Sequence, residues 1–225
     1  MPARLSLSVA CLLIGSAAAR TADPPANPVV AARGYLDSMD VELTTNATGE
    51  VVAALVYCTS DATDGDLALL RHFPKIEKLN IVGTEVTDAG LAYLKDLPEL
   101  KELMLYREHF TEAGLAHLKD VKKLRKLVLS RAEVTDKGLE QIAALKGLEH
   151  LELTGSKVTP AGLAHLKTLP ELHTLKFRWS SFTDADAKHF VGFPKLKSLR
   201  VGGNTMTDDG LKAIQAQLPG VEVTR

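Results

Sequence analysis

The chain has 225 residues, of which 45% are hydrophobic and 5% aromatic; this suits one elongated domain with a core of Leu and Val, plus a leader. Its 27 basic and 28 acidic residues give a formal net charge of -1, so no global field selects nucleic acid or a membrane surface as partner.

In chain order, Met1 to Ala19 reads as an export signal. Arg4 gives a basic start, Leu5 to Ala19 is uncharged and apolar, and Ala17-Ala18-Ala19 offers a small-residue cleavage site. The run is too short for a comfortable membrane span, so none is expected once the signal is removed. Of the two cysteines, Cys11 is lost with the signal. Cys58 then has no disulfide partner, and it is expected as a buried, inert thiol. Residues 20–34, which contain the Pro- and Ala-rich Thr21 to Arg33, are expected as a flexible linker. Residues 35–51 are expected as an N-terminal cap. Tyr35 to Asp40 allows a short turn of helix, and the strand-like runs Val41 to Thr44 and Val51 to Tyr57 form a hairpin around Gly49. Asn46-Ala47-Thr48 matches a glycosylation sequon, a triplet common by chance.

From Val52 to Arg225 a unit recurs every 24 residues. A degenerate copy begins at Val52, and further copies begin at Ile76, Leu100, Leu124, Leu148, Leu172 and Leu196. In the copy Ile76 to Glu99, Ile76, Leu79 and Ile81 alternate with polar residues as in a half-buried strand. Gly90, Leu91, Leu94 and Leu97 follow at the spacing of a short amphipathic helix. Thr87 sits at the N-cap, Asp88 favours the positive end of the helix dipole, and Pro98 blocks extension. The threonine column is unbroken: Thr63, Thr87, Thr111, Thr135, Thr159, Thr183 and Thr207. No single unit can bury its apolar face, so the units must stack on one continuous core.

The pattern L-x-x-L-x-L-x-x-T-x-V-T-D-x-G-L-x-x-L resembles the leucine-rich repeats. It is closest to the short T-D-x-G-L repeats of bacterial proteins, which are similar to the cysteine-containing repeats of F-box adaptors. The ninth position (Ser60, Thr84, Glu108, Ala132, Ser156, Ser180, Asn204) departs from the common Asn or Cys, so no regular ladder of that kind is expected. The resemblance implies an α/β solenoid, a right-handed horseshoe segment. A parallel sheet would line its concave side, short helices its convex side, and a hairpin would cap its N-terminal end.

The third, fifth, seventh and eighth positions of each unit then face outward from the sheet. Seven of them are basic (Lys78, Arg107, Lys126, Arg131, Lys176, Arg178, Arg200) and two acidic (Glu102, Glu152). Chance excess on a solvated face would account for this, and so would docking of an acidic partner. Aromatic residues and arginines, the usual hot-spot types, favour docking. The candidate partner-binding residues are Met104, Tyr106, Arg107, Lys126, Arg131, His150, Lys176, Arg178, Trp179 and Arg200. The unit Leu172 to Lys195 is irregular: it holds four of the six Phe residues and the only Trp, and Asp186 and Ala187 replace the usual Gly and Leu. Either the rings fill volume left by Ala187, or the unit carries a specialised spot around Trp179.

No catalytic constellation is found. His117, His165 and His189 share a helical repeat column with Tyr93 and Gln141, and no acid or Cys joins them at metal-ligand spacing. No nucleophile motif or phosphate-binding loop is present. The expectation is a monomeric, secreted or periplasmic protein-binding module without catalytic residues, metal or cofactor. The alternatives are a binder of acidic glycan or envelope polymer, a structural spacer, and a ubiquitin-ligase-type adaptor. The last fits an exported chain poorly.

Overall fold

The computed structural model describes residues 27–57, 62–106, 110–203 and 205–225. The expected signal, Cys58, and the candidate Arg107 lie outside the described residues, as do Ser60, Glu108 and Asn204 of the ninth-position column.

Among the described residues one nine-stranded sheet is formed, with its strands in sequence order. They are β1 (Glu42–Thr45), β2 (Val51–Tyr57), β3 (Lys78–Val82), β4 (Glu102–Tyr106), β5 (Lys126–Ser130), β6 (His150–Thr154), β7 (Thr174–Arg178), β8 (Ser198–Gly202) and β9 (Glu222–Thr224). β1 pairs antiparallel with β2, which forms the expected capping hairpin. All later pairings are parallel, and from β3 to β8 each residue faces the one 24 positions on, as Leu79 faces Leu103 and Leu103 faces Leu127. The 24-residue period is therefore the register of the sheet.

The aliphatic residues that alternate along each strand, such as Leu79, Ile81, Leu127 and Leu153, are buried under short helical segments in one continuous core. Each fully buried leucine contributes about 1.5–3 kcal/mol. The helical segments are shorter than amphipathic helices usually are. One α-turn, such as Asp88–Leu91 or Glu112–Leu115, passes into a 3-10 turn, Ala92–Asp96 or Ala116–Asp120. The opposite face of the sheet is open.

A ladder of side chains binds the units on the helical side. Thr87 donates its backbone N–H and its hydroxyl to Asp64 of the preceding unit, both at 2.7 Å. Thr111 does the same to Asp88, Thr159 to Asp136 and Thr207 to Asp184, and the Thr135 hydroxyl donates to Glu112. The acids therefore serve more than their own helix dipoles, since each accepts from the N-cap threonine of the next unit. This contact also explains the glycine of the T-D-x-G-L pattern. A Cβ at Gly90, Gly114, Gly162 or Gly210 would collide with the carboxylates of Asp64, Asp88, Asp136 and Asp184.

The exceptions obey the same geometry. Pro160 supplies no carboxylate to the following unit, and there the glycine position holds Asp186. Asp186 accepts from the N–H and hydroxyl of its own Thr183 at 2.8 and 2.9 Å, closing a capping box. Asp66 does this for Thr63 in the first unit. In the irregular unit Phe177, Phe182 and Phe190 are fully buried and meet edge to face at 5.0–6.2 Å, and the small Ala187 is buried as well.

One expectation is corrected. The stretch read as a linker is helical from its middle onward, as part of helix α1 (Pro28–Ser38). The Asn27 side chain accepts from the Val29 N–H at 2.9 Å, Pro28 occupies the first turn, and Ala32 and Leu36 are buried at the end of the core. Among the described residues no helix is long and apolar enough to cross a membrane.

Candidate functional site

The open face is built by the pleat: Leu79 and Ile81 turn into the core, so Lys78, Asn80 and Val82 must turn out. Repetition every 24 residues lines these positions into rows across the strands. Met104 and Tyr106 lie half-buried on β4, Lys126 and His150 are exposed at the starts of β5 and β6, and Lys176 is half-buried in β7. Arg178 and Arg200 are exposed on β7 and β8, and Arg131 and Trp179 follow the ends of β5 and β7. All nine described candidates thus belong to one face.

The two ends of the strands differ electrostatically. At the N-terminal end and along the centre the lysines are held by the two glutamates. Lys78 and Lys126 bridge Glu102 at 2.9 and 3.4 Å, and Lys176 bridges Glu152 at 3.5 Å. The hydrogen bond from Lys78, helped by Lys126, holds the Glu102 carboxyl below its ordinary pKa against the opposing effect of burial. Partial desolvation pushes the His150 imidazole pKa down, with Glu149 opposing and Lys126 assisting, which leaves it neutral at pH 7. Val128, buried at 6% exposure, floors a groove of about 630 Å³ here. Its walls include Lys101, Arg125 and Glu149, residues that precede the strands and were not singled out from the sequence.

At the C-terminal end the backbone itself is distinctive. The eighth position of the unit is left-handed wherever it is described: Gly83 (φ 64), Arg131 (φ 54), Gly155 (φ 70), Trp179 (φ 54) and Gly203 (φ 68). The turn suits glycine, and a non-glycine residue there costs about 1–2 kcal/mol. Arg131 and Trp179 nevertheless occupy it. The Trp179 N–H donates to the Gly202 carbonyl at 3.0 Å, and its indole lies against Gly203, where any side chain would strike Cδ1 and Nε1. The ring is held in place yet 56% exposed. The Arg178 guanidinium sits 5.7 Å from its centroid, and that of Arg131 sits 5.8 Å from the Tyr106 centroid.

A family model described as leucine-rich repeat matches residues 122–143 and 194–214, which are the fourth unit's helical side with its strand and the last unit with its helix. The 24-residue register and the buried leucine columns extend the same unit beyond the matched residues. The chain carries leucine-rich repeats. None of the curated proteins matches it. Leucine-rich repeats generally serve as protein-interaction modules rather than enzymes, and the open face of this solenoid is where rigid aromatic and arginine side chains are concentrated.

Proposed function

We propose that this leucine-rich repeat chain is a non-enzymatic module that docks a protein partner on the open face of its sheet, centred on Trp179 and Arg178. One observation carries the reading. The largest exposed aromatic residue is fixed in a left-handed turn that three sister units fill with glycine, and it rests on a glycine that leaves it room. A ring immobilised before binding loses little entropy on contact, and tryptophan and arginine dominate binding energy at interfaces. The Met1 to Ala19 stretch supports export, with the mature chain acting in a periplasm or outside the cell as a monomer.

Photo-crosslinking tests the docking. A photoreactive residue placed at 104, 152 or 179 should capture a protein of defined mass from extracts of the source cells and their medium. The same residue at 93 or 141, on the helical side, should not. Capture from the helical side alone would refute docking on the open face, and no capture from either side would favour a structural spacer. N-terminal sequencing of the exported chain should begin at Arg20; an intact Met1 on an intracellular chain would refute export.

A further inference from the structure

We propose that the C-terminal strand ends form a strip that binds an acidic, extended segment of the protein partner. The inference rests on the docking reading above and adds the chemistry of what docks. Six described cations face two carboxylates on the open sheet, but they are not equivalent. Lys78, Lys126 and Lys176 are engaged by Glu102 and Glu152, and the Arg200 Nε donates to the Arg225 backbone oxygen at 2.8 Å. Among the described residues no carboxylate pairs with Arg131 or Arg178; each lies instead on an aromatic ring. A guanidinium held on a ring is weakly hydrated and keeps its N–H fork for a planar anion, so it favours bidentate carboxylate recognition.

The layout suits a chain laid across the strands. Arg131 and Trp179 follow β5 and β7, two strands or roughly 10 Å apart. Between them Gly155 has no side chain, and Ser130 and Thr154 beside it are buried, which leaves a low saddle. An extended segment meets Arg131 on Tyr106, crosses the saddle, and meets Arg178 and the Trp179 ring. The lysine-lined N-terminal half offers no comparable anion site, because its lysines are already engaged by Glu102 and Glu152.

The test pans a random 12-residue peptide library on the purified chain and on an R131G/R178Q variant. Glycine suits the left-handed turn at 131, so this variant keeps its fold, and unchanged circular dichroism checks that. Selected peptides should be enriched in Asp and Glu. Their titration should change the emission of Trp179, the only tryptophan, in a saturable manner that weakens with salt. The variant should bind about tenfold or more weakly, whereas K78Q should bind as the parent does. Neutral or basic selected peptides would overturn the acidic segment while leaving open-face docking intact. Acidic peptides held equally by the variant would place them elsewhere and overturn the strip. A polyuronate that binds more tightly than any selected peptide would overturn the proposal in favour of an anionic glycan. Failure to select any peptide would overturn it too, and the crosslinking from positions 104, 152 and 179 then decides separately whether a folded protein surface docks.

Discussion

Arg131 adopts φ 54 at a position where Gly83, Gly155 and Gly203 adopt nearly the same angle without strain. Replacing it by glycine relieves about 1–2 kcal/mol of left-handed strain. Against this, glycine costs about 0.4–1 kcal/mol of unfolded-state entropy, and the exposed contact with Tyr106 is worth about 0.5–1 kcal/mol. These terms nearly cancel, so R131G should unfold in urea within about 1 kcal/mol of the parent while losing partner affinity. A large loss of stability would mean that Arg131 is a structural residue. The same scale governs pH. The Asp184 carboxyl is held below its ordinary pKa, first by the Thr207 hydroxyl and then by the Thr207 N–H, and the Thr135 hydroxyl does this for Glu112. The unfolded chain binds protons more readily at these sites than the native one. Their contribution is therefore complete above the ordinary carboxylate pKa of about 4 and is lost as pH falls through the lower native values. Urea unfolding from pH 7 to 3 should show this decline, and T207V should lessen it by the share of Asp184; an equal decline in T207V would exclude the Thr207–Asp184 pair as a contributor.

At the scale of the element, the threonine–aspartate ladder predicts a compensating pair. Pro160 and Asp186 belong to neighbouring units and exchange one task. D186G should remove the capping box and cost about 1 kcal/mol. P160D should drive a carboxylate against the Asp186 side chain and cost about 1–3 kcal/mol. The double variant rebuilds the arrangement seen at Asp136 and Gly162, so it should be more stable than either single one. Additive losses in this cycle would contradict the ladder. Both columns were visible in the sequence, yet Asp88 could be assigned only to its own helix, because its partner Thr111 lies one unit away. Asp186 looked like an irregularity for the same reason. Helix α1 was hidden differently: Asn27-Pro28 is a sound start signal, but the Pro- and Ala-rich composition around it reads as tether until Ala32 and Leu36 find a core.

At the scale of the molecule, from β3 to β9, the period alone gave strands, register and core, since burying leucines at fixed spacing leaves no other stacking. The candidate docking face was legible as a set of residues but not as a charge pattern. Seven bases and two acids suggest a uniform basic surface, whereas pairing engages the three lysines, and Arg131 and Arg178 are exposed at the other end. The left-handed turns that fix Arg131 and Trp179 showed only as a broken glycine column. Charge pairs between units, such as Glu99 with Lys123 and Glu171 with Lys195 at 2.7 Å, are exposed and add little to stability, so the surface of the solenoid is free to specialise without loss of fold. The most direct test is the affinity of the captured partner for W179G/R178Q beside Y93A, which removes an exposed aromatic residue from the helical side. The open-face variant should bind at least about thirtyfold more weakly, with Y93A unchanged. Full affinity in W179G/R178Q, or loss in Y93A alone, would contradict docking on the open face.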